Sequence, residues 1–196
     1  MMALLGAGIF LRLYPSAGYA GLGQDEGSYA IFVKQTQKVG FWNYDAVVQA
    51  YVARQYGEAK AGVPATRIGF LAPAVWAANV FHLEPLPALR LISALGSLLL
   101  LLATAAIGYR HGGTARMLVL TALMAVAPLQ IALAQRALID GYFAWAAVLT
   151  AWFFWECRDA PRSRGWLAAY GTSLFVLVLT KENAAFVYAA LMATGL

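Results

Sequence analysis

The chain has 196 residues, 62% hydrophobic and only 12% charged, with a mean hydropathy of +0.66. That mix excludes a soluble globular domain and points to an all-α, polytopic helical membrane protein. The formal charge of +5 comes from basic residues scattered through short loops rather than from a basic stripe, so nucleic acid is set aside as a partner. Cys157 is the only cysteine, which excludes an intrachain disulfide and a cysteine-rich metal site.

Met1 to Tyr14 is an apolar run shorter than the roughly 20 residues needed to cross hydrocarbon, and no basic residue precedes it as in a signal peptide. It is expected to be part of a first transmembrane helix, closed by Arg12 and Pro15, with a Gly-rich connector from Ser16 to Gly23 after it. Asp25 and Glu26 follow. From Ser28 to Val39, Tyr29, Phe32, Val33 and Val39 fall near helical spacing while Lys34, Gln35 and Lys38 take the other side, which predicts an interfacial helix. The two carboxylates would sit at its N-terminus, where the helix dipole favours negative charge.

The segment 40–44 predicts a turn with interfacial aromatics, and Asp45 a cap for a second amphipathic helix that ends at Gly57. A polar link through Glu58, Lys60, Gly62 and Pro64 leads to Arg67, then to an apolar segment from Ile68 to Phe81 interrupted by Pro73. It is short for a span, so a short transmembrane helix and a helix tucked against the outer face both fit it. Spans are expected over Leu91–Tyr109, Met117–Ala134 (bent near Pro128), Tyr142–Trp155 and Trp166–Thr180, with apolar chain again from Ala184.

The turns Arg110–Arg116 and Arg158–Arg164 cluster arginine with few acids, so the positive-inside rule makes both cytoplasmic. Asp140 and Lys181, one span beyond each turn, then lie outside. Asp25 joins them only if Ile68–Phe81 does not cross, and parity favours that reading. Asp25, Glu26, Arg67, Asp140 and Lys181 are thereby gathered on one face, and ionisable groups gathered at membrane depth point to function. The plainer alternative is that Arg136 and Asp140, four apart, pair with each other and that Lys181 snorkels.

The Asp25–Glu26 loop with its nearby Tyr29, the Arg-Leu-Ile-Ser-Ala-Leu-Gly helix start (90–96), the Ala-Pro-Leu stretch (127–129) leading to Arg136 and Asp140, and Thr180-Lys181-Glu182 together resemble the GT-C membrane glycosyltransferases. The nearest branches are the protein O-mannosyltransferases and the aminoarabinose and Rgt-type lipopolysaccharide sugar transferases. The resemblance implies a GT-C-like bundle: residues 1–14 a partial first helix, 15–86 an extracytoplasmic loop with juxtamembrane helices, 87–196 transmembrane helices, and a C-terminal part beyond them.

It also implies transfer, with inversion, of a sugar from a polyprenyl-phosphate donor to a protein, lipid or glycan acceptor on the extracytoplasmic face of a prokaryotic plasma membrane. Asp25 matches the carboxylate that activates the acceptor, with Glu26 in support and Asp140 as the second carboxylate. Arg67 matches the basic residue near the donor phosphate. Lys181 and Arg136 are further phosphate candidates, Arg136 also as the residue that orients Asp140. Where relatives carry a His or Glu before the loop-to-helix step, this chain has Thr66, so no metal site is carried over and use of a divalent cation stays open. A non-catalytic, lipid-carrier-handling or transport-associated protein of the same fold is the alternative.

Overall fold

Pro128 and Gly113 divide the hydrophobic half of this chain more sharply than its hydropathy does. The computed structural model describes residues 1–14, 23–57 and 62–195; the connector 16–22 and the polar link at 58–61 lie outside the described residues. The helices are α1 (Met2–Leu13), α2 (Gln24–Val39), α3 (Tyr44–Gly57), α4 (Ile68–Val80), α5 (Pro85–Ala125), α6 (Pro128–Ala134), α7 (Ile139–Asp159), α8 (Arg164–Thr180) and α9 (Ala184–Gly195), with a short 3-10 turn at Phe41–Asn43. No strand occurs among the described residues. The all-α, membrane-type fold class expected from composition is the one observed.

The helix α2 buries Tyr29, Phe32, Val33 and Thr36, the i, i+3, i+4, i+7 stripe of an amphipathic helix. Thr36 takes the buried place expected of Val39, because it lies seven residues from Tyr29, and its hydroxyl is satisfied by the Phe32 carbonyl at 2.7 Å. Helix α3 begins at Tyr44, with Asp45 inside its first turn rather than capping it. The Tyr44 hydroxyl donates to the Ala65 carbonyl at 2.5 Å, which ties α3 to the chain entering α4. Pro73 sits inside α4, whose buried residues Phe70, Leu71, Ala74, Val75, Ala77 and Ala78 pack against α2, α5 and α8.

Helix α5 is a hairpin. Gly113, at φ 65°, reverses the chain, and a Cβ on Gly108 would stand 2.8 Å from the Met117 Cα of the returning limb. The φ at Gly113 is in the left-handed region that glycine enters without steric cost. The expected span from Met117 to Ala134 is broken. Pro128 has no amide proton and its ring holds Ala127 extended, so the second limb stops at Ala125 and α6 starts afresh.

That break exposes backbone carbonyls, and Arg12 caps them. Its side chain, 1% exposed, donates to the carbonyls of Met124 (2.7 Å), Ala125 (3.1 Å) and Gly8 (3.0 Å) and to the Ser97 hydroxyl (2.9 Å). Gln135 returns the contact, its Nε2 donating to the carbonyls of Leu11 and Tyr14 at 2.8 Å each. The two helix ends left open by α1 and by the broken limb therefore each find donors in the side chains brought to them.

Helices α6 and α7 are bent by 119° at the break between them, and α7 runs alongside the first limb of α5 in the same direction. Ser93 near the start of α5 donates to the Leu138 carbonyl at the start of α7 (2.9 Å), while Arg110 near the turn binds Glu156 near the end of α7. Helix α5 is long and apolar enough to cross a membrane; α6 and α7 together reach the same length and apolarity but are bent by 119° at the break between them, and α1, α4 and α9 are apolar but short.

Candidate active site

The six charged residues singled out as site candidates, Asp25, Glu26, Arg67, Arg136, Asp140 and Lys181, lie at the end of the bundle where α7 begins. Two local features bring them there. A Cβ on Gly69 would stand 2.8 Å from the backbone of Leu179 and Thr180, so the start of α4 lies directly on the end of α8 and Arg67 faces Glu182. The Glu26 side chain turns inward from the first turn of α2 and receives the Ala137 amide at 2.9 Å, which fixes α2 to the chain entering α7.

Three ion pairs result. Glu26, 1% exposed, accepts from Arg136 Nη2 at 2.7 Å and from its own N-cap amide, Gly23, at 2.9 Å. Burial alone would raise its pKa. The hydrogen bonds from Arg136, Gly23 and Ala137 outweigh that and hold it below the ordinary 4.5. Asp140 binds Lys181 Nζ at 2.7 Å, with 48% of the Asp140 side chain still exposed. Arg67 grips both carboxylate oxygens of Glu182, one of them through Nε at 3.1 Å, and its Nη1 donates to the Tyr29 hydroxyl at 2.5 Å.

Desolvation works against the Arg67 charge, but Glu182 and Tyr29 more than compensate and its pKa is raised. The Arg67 hydrogen bonds hold the Glu182 carboxyl below its ordinary range despite partial burial. Burial pushes the Tyr29 phenol up to about 12, so it stays protonated.

The anticipated pairing of Arg136 with Asp140 does not form. Residues 135–137 make a turn and Leu138 is extended, so the two residues do not share a helical face, and Arg136 reaches Glu26 instead. Lys181 does not snorkel away; it takes the partner that Arg136 leaves.

Asp25 differs from its neighbour. Successive helical residues point about 100° apart, so with Glu26 turned inward Asp25 stays exposed at a cleft of about 370 Å³ lined by Gln24, Gly62, Val63, Pro64, Arg67 and Glu182. Among the described residues no hydrogen bond or ion pair engages its carboxylate. A hydroxyl entering the cleft therefore meets a carboxylate that no described residue engages, beside a guanidinium able to face an anion. No cluster of three metal-ligating side chains occurs among the described residues.

Two parts of this arrangement escaped the sequence reading. Glu182 as the partner of Arg67 carried a signal in the acidic residue closing Thr-Lys-Glu. The inward-facing Arg12 carried a weaker one, an arginine in the last turn of an apolar helix.

Comparison with curated proteins and with solved structures returned no match. The family model described as dolichyl-phosphate-mannose-protein mannosyltransferase matches residues 75–195, a stretch that contains Arg136, Asp140, Lys181 and Glu182 but neither Asp25, Glu26 nor Arg67. With more than half of its length matched, and with the all-helical fold and end-on charged cluster described above, the chain belongs to the dolichyl-phosphate-mannose-protein mannosyltransferase family, integral membrane glycosyltransferases of the GT-C type.

Proposed function

We propose that the protein transfers a sugar from a polyprenyl-phosphate donor to a hydroxyl of a protein, lipid or glycan acceptor on the extracytoplasmic face of a prokaryotic plasma membrane, inverting the anomeric centre. The observation that carries the reading is the separation of roles among the carboxylates. Glu26, Asp140 and Glu182 are each held by a cation, whereas Asp25 faces the cleft with no partner among the described residues.

In this scheme Asp25 accepts the acceptor hydroxyl proton as its oxygen attacks the anomeric carbon. The bond from that carbon to the donor phosphate breaks, and its electron pair leaves with the phosphate. A single displacement of this kind inverts the centre. Arg67 meets the charge developing on the leaving phosphate through its planar guanidinium. Lys181 is a second cation near the same end, and Asp140 positions it. Glu26 and Arg136 hold α2, and with it Asp25, against the start of α7.

What supports the membrane side is the positive-inside rule applied to the arginine-rich turns, which lie at the opposite end of α5 and α7 from Asp140. The test is incorporation from a panel of radiolabelled polyprenyl-phosphate sugars in membranes carrying the protein or its Asp25→Asn variant. General-base loss is expected to lower transfer by about 10²–10⁴-fold at unchanged protein level and melting temperature. Transfer indifferent to Asp25 removes it as the base. No transfer with any donor moves the protein to the lipid-carrier-handling reading.

A further inference from the structure

The end of the bundle away from the carboxylates carries a second built feature. Between the turn of α5 and the last turns of α7 lies a groove of about 530 Å³ lined by Ile107, His111, Arg116, Val148, Ala151, Trp152 and Trp155. Trp152 lies twelve residues beyond Asp140 on one helix, about 18 Å along its axis, so this groove is separate from the candidate active site. Its floor is apolar and its mouth is cationic.

The charges at the mouth are unequal in their commitments. Glu156 touches the lining residue Trp152, and it is consumed: Arg110 binds both of its oxygens at 2.9 and 2.8 Å, and the Trp152 indole N–H donates to it at 3.0 Å. His111 Nε2 stands 3.5 Å from the same carboxylate. Arg116 has no carboxylate partner among the described residues. Its one hydrogen bond, from Nη1 to the His111 carbonyl at 2.7 Å, folds the side chain back over Gly112, where a Cβ would stand 2.5 Å from Nε. The guanidinium is thereby held at the groove, and no described residue engages its remaining N–H groups.

The neighbouring aromatics are those of a membrane interface. Trp155 is 53% exposed beside the groove and lies under the Arg158 guanidinium, 5.5 Å from it. Indoles at the headgroup level, a cation above them and an aliphatic channel below are the three parts that a lipid with an anionic headgroup would occupy. A soluble anion would use only the first layer of that arrangement and leave the channel walls of Ile107, Val148 and Ala151 uncovered.

We infer that this groove binds an anionic membrane glycerophospholipid, its phosphate on Arg116 and His111 and one acyl chain along Ile107, Val148 and Ala151. The site is independent of the sugar-transfer reading and requires only that the protein sit in a membrane.

Native mass spectrometry of the full chain released from detergent, after incubation with phosphatidylglycerol or with phosphatidylcholine of the same chains, reads the site directly. Phosphatidylglycerol should be retained over phosphatidylcholine. Arg116→Ala should cut that retention about fivefold, the effect of one cation near a headgroup, and Arg116→Lys should restore much of it. Arg162→Ala removes the same charge from the adjacent loop and should leave retention unchanged. Ala151→Phe fills the channel without altering charge and should lower retention of the lipid. Equal losses from Arg116→Ala and Arg162→Ala would mean a diffuse field and overturn the site. So would indifference to Ala151→Phe, or equal retention of the two lipids. Displacement of the lipid by millimolar inorganic phosphate or glycerol phosphate would overturn the lipid as occupant.

Discussion

Replacing Glu26 by Gln tests whether the inner carboxylate is structural. One of its oxygens accepts from Gly23 N at 2.9 Å and from Arg136 Nη2 and Nε at 2.7 and 3.3 Å, and the other accepts from Ala137 N at 2.9 Å. A glutamine keeps one acceptor oxygen and turns the other into a donor. Either orientation points an NH₂ group at an N–H group inside the fold, and leaving one buried donor unmade costs about 1–3 kcal/mol. The charge-assisted bonds to Arg136 weaken as well, although its 31% exposure lets water recover part of that loss.

Together these amount to about 3 kcal/mol, or roughly 10 °C in melting temperature for a chain of this size. Thermal unfolding in detergent measures it. The pH dependence separates charge from shape: the folded-state pKa of Glu26 is depressed, so its contribution is fully present above the ordinary value of 4.5 and is lost as pH falls through the folded value. The gap between the wild type and Glu26→Gln should therefore close below pH 4.5. A Glu26→Gln protein that melts within about 2 °C of the wild type at neutral pH, or a gap that stays constant in acid, refutes the lock.

Three further outcomes are expected. Gly69→Ala places a Cβ 2.8 Å from the backbone of Leu179 and Thr180, so α4 must lift from α8; overpacking of this kind costs about 1–3 kcal/mol and should lower both melting temperature and transfer, because it shifts Arg67 within the cleft it shares with Asp25. Gly113→Ala meets no atom within 4 Å, and its cost is the backbone conformation alone, φ 65° with ψ −162°, a glycine-only region worth about 1–3 kcal/mol; it should lower the melting temperature by several degrees and leave the turnover of folded protein unchanged. Glu182→Gln removes the anion that competes for Arg67, so KM for the phosphate-linked donor should fall several-fold with kcat little changed, and a raised KM would show that Glu182 holds Arg67 in place rather than blocking it.

Composition and helical periodicity carry most of the fold. The stripe of Tyr29, Phe32 and Val33, the limits of α4 and the end of α3 at Gly57 are all legible, because each rests on local spacing or a local stop signal. The break at Pro128 is half legible: the proline marks a bend, but whether a helix bends or stops depends on what satisfies the freed carbonyls, and here that group is Arg12, more than a hundred residues away. The charged residues of the site were legible as a set and not as pairs. Sequence spacing favours Arg136 with Asp140, yet pairing follows the turn at 135–137 and the approach of α2, which are tertiary facts.

The way the charges are paired constrains how the proposed site can work. Arg67, Arg136 and Lys181 are each matched to a carboxylate of the chain, so an incoming phosphate has to displace one of them or join it as a third member. Displacing Glu26 would unmake hydrogen bonds from Gly23 and Ala137 and would bury an uncompensated charge, so Arg136 is the least available of the three. Glu182 is the opposite case: its side chain is 55% exposed while Arg67 is 10% exposed, so the carboxylate can swing into water and the guanidinium cannot follow. The Arg67 N–H groups it vacates would face the cleft that also holds Asp25. A phosphate arriving there would exchange one anion for another on Arg67 without leaving a buried charge unpaired, which makes Arg67 a phosphate contact of lower cost than Arg136 and puts Arg136 among the groups that hold the cleft in shape.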